Sequence, residues 1–292
     1  MALDKQLIRK ALAPMVGPYQ IITTTSGGAA GGGDFISTEL TGKQNGFYRG
    51  WWALINGGTH IAKYRYVSEW TSSTVTGTIV PALGSAVATA LEIELLPWKP
   101  TTYTTAMRRA IRHGHKWGLF LRAIDSSISL TAGDYKYTMP SGVTPEMVKR
   151  VMFEGDGNFD ETPRHELNDF SFNPDDTEIW LNRNNPNFYH EVTTGRKLYL
   201  FLHKYLTPVA ADAAEGALTT DTTDLVELSE NTSQYELFLL FCKAFFFDTV
   251  MPLVDSAHRQ EYKDMRDEAL AFAEGQSEIL GFRPVEQPFA WS

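Results

Sequence analysis

The side chains able to do chemistry in this sequence are one thiol, a few imidazoles and many carboxylates. With the single cysteine Cys242, the chain builds no internal disulfide and no multi-thiolate metal site, and it suits a reducing compartment. Cys242 lies in an apolar run between Phe241 and Lys243, where a thiol reads as core and not as a nucleophile. His113 and His115 flank Gly114 among Arg108, Arg109, Arg112 and Lys116. That positive surround repels a cation, so the pair reads as surface. The run Asp156-Gly157-Asn158-Phe159-Asp160-Glu161 imitates the opening of a calcium loop. Its sixth position is Glu instead of the Gly needed for the sharp turn, and its twelfth is Leu167, which leaves at most a loop cluster for an adventitious cation. Thr41-Gly42-Lys43-Gln44 lacks the upstream glycine and the hydroxyl of a phosphate cradle. No Gly-x-Ser-x-Gly elbow occurs, and among 35 acids spacing selects no pair for glycoside hydrolysis. The expectation is a protein that is not an enzyme, with no cofactor and no metal.

The elements that would carry a function must then be interaction surfaces. The 292 residues are 43% hydrophobic and 21% charged, values of a folded chain with ample core. A net charge of -9 argues against a body that coats phosphates, because such binding draws on clustered Lys and Arg. The start Met1-Ala-Leu-Asp-Lys-Gln6 has no apolar targeting core, and the longest apolar run, Leu237 to Phe247, contains Lys243 and is too short to span a bilayer. Neither export nor membrane insertion is expected.

Five segments are predicted. Residues 1–20 hold a short docking helix with Leu3, Leu7, Ile8, Ala11 and Leu12 at helical spacing, ended by Pro14 and Gly17. Residues 21–116 form a first β-rich block with a basic helix. It opens with a glycine-rich stretch, Thr23 to Asp34, that reads as a mobile loop or linker. A hairpin follows, with Trp51 to Ile55 and Thr59 to Trp70 as strands about Asn56-Gly57-Gly58, and the alternation sets His60, Ala62, Tyr64, Tyr66 and Trp70 on one face. Thr76 to Val80 and Leu91 to Leu96 are further strands. Thr101 or Thr102 caps the basic helix, and Gly114 stands where a helix-ending glycine is expected. Residues 117–206 are a second β-rich block of short strands, including Ser127 to Leu130, Tyr135 to Met139, Val148 to Glu154 and Lys197 to Tyr205, whose turn-punctuated spacing suggests a sandwich or curled antiparallel sheet. Residues 207–280 hold two helices in an acidic αα-hairpin, the first opened by a capping box at Ser233-x-x-Glu236 and the second carrying Tyr262, Met265, Ala269, Phe272 and Ala273 on one face. Residues 281–292 form an extended arm with two prolines and three aromatics. The predicted fold class is α+β, with antiparallel sandwich-like blocks, a C-terminal αα-hairpin and a short N-terminal helix.

Charge is split along the chain. Ala211 to Gly281 holds fifteen acids and four bases, a net of -11, so everything else sums to +2, and Thr101 to Arg122 has no acid at all. Solvated helix faces would explain both. Copies meeting acid to base would explain them too. The candidate partner-binding residues are therefore Arg108, Arg109 and Arg112 on the basic helix and Phe282, Phe289 and Trp291 on the arm, since aromatics and arginines are the usual interface anchors.

The order of elements adds a resemblance. Tyr48-Arg-Gly-Trp-Trp-Ala-Leu-Ile-Asn-Gly-Gly-Thr-His through Trp70, then Ser73 to Leu83, resembles a β segment of tailed-bacteriophage virion proteins. Leu198-Tyr-Leu-Phe through Asp221-x-x-Asp224-Leu-Val-Glu-Leu-Ser and the apolar helix after it resembles the same proteins. Together these cover about half the chain, as a pattern of strands and a loop-to-helix junction and not as an invariant motif. The resemblance implies a neck subunit, a head-to-tail adaptor that forms a cyclic homo-oligomer beneath the portal protein, contacts tail or other neck proteins and lets viral DNA pass through its lumen without catalysis. Its place would be the virion neck, after synthesis in the host cytoplasm. The alternatives are a tail, baseplate or fibre protein that binds carbohydrate, and a glycan-cleaving enzyme.

Overall fold

A computed structural model describes residues 2–154, 164–182, 194–207, 209–212, 216–218, 225–229 and 232–279. In chain order, β1 (Ala2–Asp4), α1 (Lys5–Val16), β2 (Gln20–Thr23), β3 (Asp34–Ile36), β4 (Trp52–Ile55), β5 (Tyr64–Thr71), β6 (Thr76–Val80), β7 (Glu92–Leu96) and α2 (Pro100–Gly114) come first. Then come β8 (Phe120–Asp125), β9 (Lys136–Thr138), β10 (Val148–Glu154), β11 (Arg164–Leu167), β12 (Phe170–Phe172), β13 (Glu178–Leu181) and β14 (Leu198–Tyr205). Last are β15 (Leu225–Ser229), α3 (Ser233–Val250) and α4 (Arg259–Ile279). The class is α+β with antiparallel sheets. Two compact units result: one joins the segment ending at Gly118 to the segment that begins at Thr207, and the other is Leu119–Leu206.

In the first unit a six-stranded antiparallel sheet runs β2-β7-β4-β5-β6-β3. One face buries Ile22, Phe35, Ile55, Val67, Trp70 and Ile93 in a common core. On the other face Leu54, Tyr64 and Glu94 are also buried. The alternation expected along β5 breaks at a bulge between Val67 and Glu69. An extra residue there flips the parity, so Val67 and Trp70 share a face while Tyr66 is left exposed.

Helix α1 is more deeply built in than its docking pattern suggests. Asp4 caps it, its carboxylate accepting from the Leu7 backbone N–H at 2.7 Å, and the helix passes the expected stop at Pro14 to end at Val16. The buried face is Lys5, Ile8, Arg9, Leu12, Ala13 and Val16, while Leu7 is exposed. Two cations thus lie on the apolar side. Arg9 reaches Glu94 of β7 through both arms of its guanidinium, Nε to Oε2 at 3.0 Å and Nη2 to Oε1 at 2.9 Å, and both residues are buried. Asn56 donates to Glu94 at 2.7 Å and to Glu92 at 2.8 Å, and Lys10 pairs with Glu92 at 2.6 Å. Lys5 meets Asp212 at 3.4 Å. Fork geometry of this kind and a third donor satisfy the buried carboxylate.

The glycine-rich stretch is largely exposed, yet it is tied down by backbone hydrogen bonds, unlike the mobile linker its composition suggests. Backbone bonds knit it to its neighbours: Gly28 N–H to Val87, Leu83 N–H to Gly32, Gly84 N–H to Gly31 and Ile79 N–H to Gly33. Gly32 has φ +68°, and a Cβ there would stand 2.1 Å from the Ser85 carbonyl oxygen. At Gly28 and Gly32 a side chain is excluded because backbone lies against backbone.

The helices also shift from their expected limits. Pro100 opens α2 after Lys99, ahead of Thr101, and the stretch continues past Gly114 through a 3-10 turn, His115–Trp117, to a left-handed Gly118. The cap of α3 is Thr232, whose hydroxyl accepts from the Tyr235 N–H at 3.2 Å, so the predicted Ser233 cap is displaced by one residue. Helix α3 buries apolar side chains around most of its circumference because α1, α2 and α4 all pack against it.

In the second unit a four-stranded sheet, β11-β10-β14-β8, and a three-stranded sheet, β12-β13-β9, share one core containing Val151, Phe153, Leu200, Ile179 and Leu181. Two sheets about one core make the sandwich-like block. The strand expected at Ser127 to Leu130 is reduced to a single bridge, Ser129 with Lys197.

Two substitutions test this packing. Arg9→Ala strands the Glu94 carboxylate and is expected to cost about 3–5 kcal/mol in chemical denaturation, and replacing both partners by apolar residues should cost less than Arg9→Ala alone. Gly32→Ala should lower stability by more than about 1 kcal/mol, because the strained φ and the close carbonyl act together. A wild-type unfolding midpoint for either variant would refute the account of that contact.

Candidate interaction surface

The basic helix divides its three arginines. Arg109 turns inward: it forms an ion pair with Asp248 of α3, donates to Thr249 Oγ1 at 3.4 Å and lies over the Phe245 ring at 5.2 Å. Asp248 also receives Arg266 of α4 at 3.2 Å, and Arg266 in turn pairs with Asp267. Arg109 therefore helps bind α2, α3 and α4 together, while its side chain stays 38% exposed. Arg108 and Arg112 are exposed and remain available. Of the two histidines, His113 lies 5.1 Å from the Phe245 ring, and His115 shares a hydrogen bond with the Arg112 carbonyl at 2.8 Å. Phe282, Phe289 and Trp291 lie outside the described residues, as does the Asp156 to Glu161 run.

Beyond α3 lies a face of opposite sign. On α4, Glu261, Asp264, Asp267 and Glu268 are exposed, with Lys263 among them. One unit thus presents exposed Arg108 and Arg112 on one helix and a carboxylate-rich surface on another, with apolar α3 packed against both.

An apolar groove of about 650 Å³ borders the acidic face, lined by Pro97, Trp98, Phe247, Leu253, Tyr262 and Met265 among others. Trp98 and Phe247 both meet Tyr262 edge-on, at 6.1 and 5.8 Å between ring centroids. Leu253 is 70% exposed and Met265 36%, so this apolar surface faces solvent in the single chain. At the rim His258 and Asp255 pair at 2.8 Å. That hydrogen bond raises the imidazole above its ordinary value and lowers the carboxyl below its own.

Sequence reading placed Met265 and Phe272 on the same stripe as Tyr262, Ala269 and Ala273. The structure buries Ala269 and Ala273 and leaves Met265 and Phe272 exposed. The usable signal was the width of that stripe, broader than one neighbouring helix covers. Trp98 and Leu253 carry no periodic signal.

A second, more polar groove of about 390 Å³ lies in the other unit, lined by Tyr135, Asp169, Phe170, Ser171, Trp180, Leu181 and Asn182. Trp180 donates its indole N–H to Glu178 at 2.8 Å, and the Lys136 ammonium stands 4.3 Å over its ring. In the same unit His203 stacks on Phe120 with 3.6 Å between centroids. Burial first, then the nearby Lys149 and Arg122 charges, lower its pKa to about 4.

Cys242 is fully buried, and burial pushes its thiol up, away from nucleophile chemistry. Among the described residues no three His, Cys, Asp or Glu side chains converge to hold a metal ion, and no helix is long and apolar enough to cross a membrane. Comparison of the chain with protein-family models, with curated proteins and with solved structures returns no significant match.

The His203 environment makes a pH prediction. The folded state holds the imidazole below the 6.5 of an ordinary histidine, so the unfolded chain binds the extra proton first, and this residue's contribution to stability falls as pH drops from about 6.5 towards 4. Unfolding free energy measured across that window should fall less steeply in His203→Phe than in the wild type. Parallel curves would exclude the effect.

Proposed function

We propose that this chain is a structural virion protein, a ring-forming head-to-tail adaptor in the neck of a tailed bacteriophage, placed between the portal protein and the tail. Two lines support the reading. The first is the resemblance over Tyr48 to Trp70, Ser73 to Leu83 and the run into α3. Within it, Tyr48 and Trp70 are buried and meet edge-on at 5.4 Å, so the resemblance concerns how the chain folds. The second, which carries the proposal, is the pairing of exposed Arg108 and Arg112 with an acidic α4 face and its apolar groove in one unit. A ring closes through heterologous contacts, and these require two different, mutually complementary surfaces on each subunit. The apolar groove supplies a desolvated centre and the charges supply register and orientation. Acidic surface towards the lumen leaves DNA phosphates little to hold, which suits passage without binding.

The test is the assembly state. The purified chain is expected to sediment as a cyclic oligomer, or to form one on its partner, with closed rings in electron micrographs. Arg108→Glu combined with Arg112→Glu should weaken association by about tenfold or more, and Leu253→Glu should do the same through the groove. A strict monomer at all concentrations, together with absence from purified particles, would overturn the reading.

The Tyr135, Phe170 and Trp180 groove supports a second reading, a tail, baseplate or fibre module that binds carbohydrate. Aromatic faces stack on sugar rings, while Asp169 and Asn182 offer hydroxyl partners. Glycan-array binding that is lost in Trp180→Ala would favour it over the adaptor.

A further inference from the structure

The four-stranded sheet of the second unit has a face that its core does not use. The core takes Leu198, Leu200 and Leu202 from β14, Val148, Val151 and Phe153 from β10 and Ala123 from β8. Alternation then sends Phe201, His203 and Tyr205 to the opposite side. Register sets Arg122 of β8 directly across from His203, and Arg150 of β10 directly across from Phe201. A bulge between Val148 and Arg150 leaves Lys149 exposed there as well. Among the described residues of this unit the one helical element is the 3-10 turn Pro145–Met147, so no helical layer of its own covers that face.

Rings and cations alternate on this surface. Phe120 stacks on His203 with 3.6 Å between centroids, and the Arg150 guanidinium lies 5.7 Å from the centre of the Phe201 ring. Tyr205 is exposed. Arg150 is already paired with Glu166 at 2.7 Å. Arg122 and Lys149 are both exposed and make no ion pair among the described residues. The two charges converge on one spot, because after burial they are what holds the His203 imidazole down to about 4. Glu146, at the same corner, is the acid that acts on Lys149 and on Tyr205.

Cations interleaved with flat rings match a chain of anions that itself carries flat rings. We propose that this sheet face binds single-stranded nucleic acid, with phosphates at Arg122 and Lys149 and bases stacked on Tyr205 and Phe201. Same-face side chains along β14 recur about every 6.8 Å, whereas a duplex advances about 3.4 Å per nucleotide in each strand and keeps its bases stacked on one another. An extended single strand has base faces to give and can meet the wider spacing. An acidic protein would answer the charges and leave the rings unexplained. The net charge of -9 does not oppose a contact of this size, since the acidic excess lies in residues 211–281, outside this unit. This function goes beyond the neck-subunit reading and does not rest on it.

The test is fluorescence anisotropy of a labelled oligonucleotide of about 12 thymidines titrated with the full chain at several salt concentrations. Binding is expected, with log K falling against log salt at a slope of about -1.4, the value for two phosphate contacts on a single strand. Arg122→Ala and Lys149→Ala should each weaken binding by about fivefold and each halve that slope. Tyr205→Ala should weaken it by about tenfold at an unchanged slope, and Tyr205→Phe should restore it, because stacking needs the ring and not the hydroxyl. Glu146→Gln should tighten binding by about twofold, a gain that damage to the fold does not produce. No binding at low salt would overturn the proposal. So would wild-type affinity in Tyr205→Ala, which would leave a surface for any polyanion, or equal binding of the matching duplex. Polyglutamate that binds as tightly as the oligonucleotide would give the face to an acidic protein partner instead. Closed rings without oligonucleotide binding would count against this site alone, and oligonucleotide binding by a strict monomer would count against the neck reading alone.

Discussion

The first unit depends on burying a charge where the chain has no water to offer it. Arg9 and Glu94 meet inside the layer between α1 and the sheet, and each would be severely destabilising there without the other. Their fork-to-carboxylate geometry admits one rotation of α1 about its axis and one register of β7 beneath it. Asn56 extends the arrangement to the end of β4, and Lys10 with Glu92 repeats it nearer the surface. The Tyr19 and Tyr103 phenols feel the same site, and burial, helped by the Glu94 charge, pushes both well above the ordinary phenol value. With α1 held in this way, β1 lies beside β15, so the strand before α1 pairs with the strand before α3.

From that anchor the helical layer follows. Helix α3 can be so largely apolar only because three other helices pack against it, and the shared Asp248 carboxylate, contacted by Arg109 and Arg266, ties its far end to both α2 and α4. Covering α3 consumes the inner side of α4 but not its full apolar width. What is left over, Met265 and Phe272 on α4 and Leu253 before it, is apolar side chain open to solvent, and Met265 and Leu253 line the groove on which the proposed function draws. Surfaces left apolar after a core is complete are the ones available for partners.

Periodicity located much of the fold. Thr76–Val80 and Val148–Glu154 appear with their predicted limits, and the two C-terminal helices lie within a few residues of expectation, because alternation and helical spacing are local properties of side-chain direction. Short strands such as β2, β3 and β15 escaped notice. Gln20–Thr23 and Asp34–Ile36 are too brief to show a period, and they become strands only because β7 and β6 offer them hydrogen-bonding edges. The bulge in β5 was equally invisible, since one extra residue changes the face of Trp70 without changing any letter around it. On the basic helix the exposure of Arg108 and Arg112 follows from local spacing, but the Arg109–Asp248 ion pair does not, because its partner lies 139 positions away on α3.

By itself the sequence determined the α+β class, the single buried thiol, the separation of acidic and basic segments and the want of any recognisable catalytic spacing. These follow from composition and from neighbours along the chain. Tertiary structure alone decided that Lys5 and Arg9 face inward, that Gly32 lies against a backbone carbonyl and that the apolar stripe of α4 is only half used. Each of those outcomes is set by a partner distant in sequence: Asp212, Glu94, the Ser85 carbonyl and α3. A charge or a glycine carries no mark of whether such a partner will be there. The free energy that places it belongs to the pair and exists only once the fold has brought the two together.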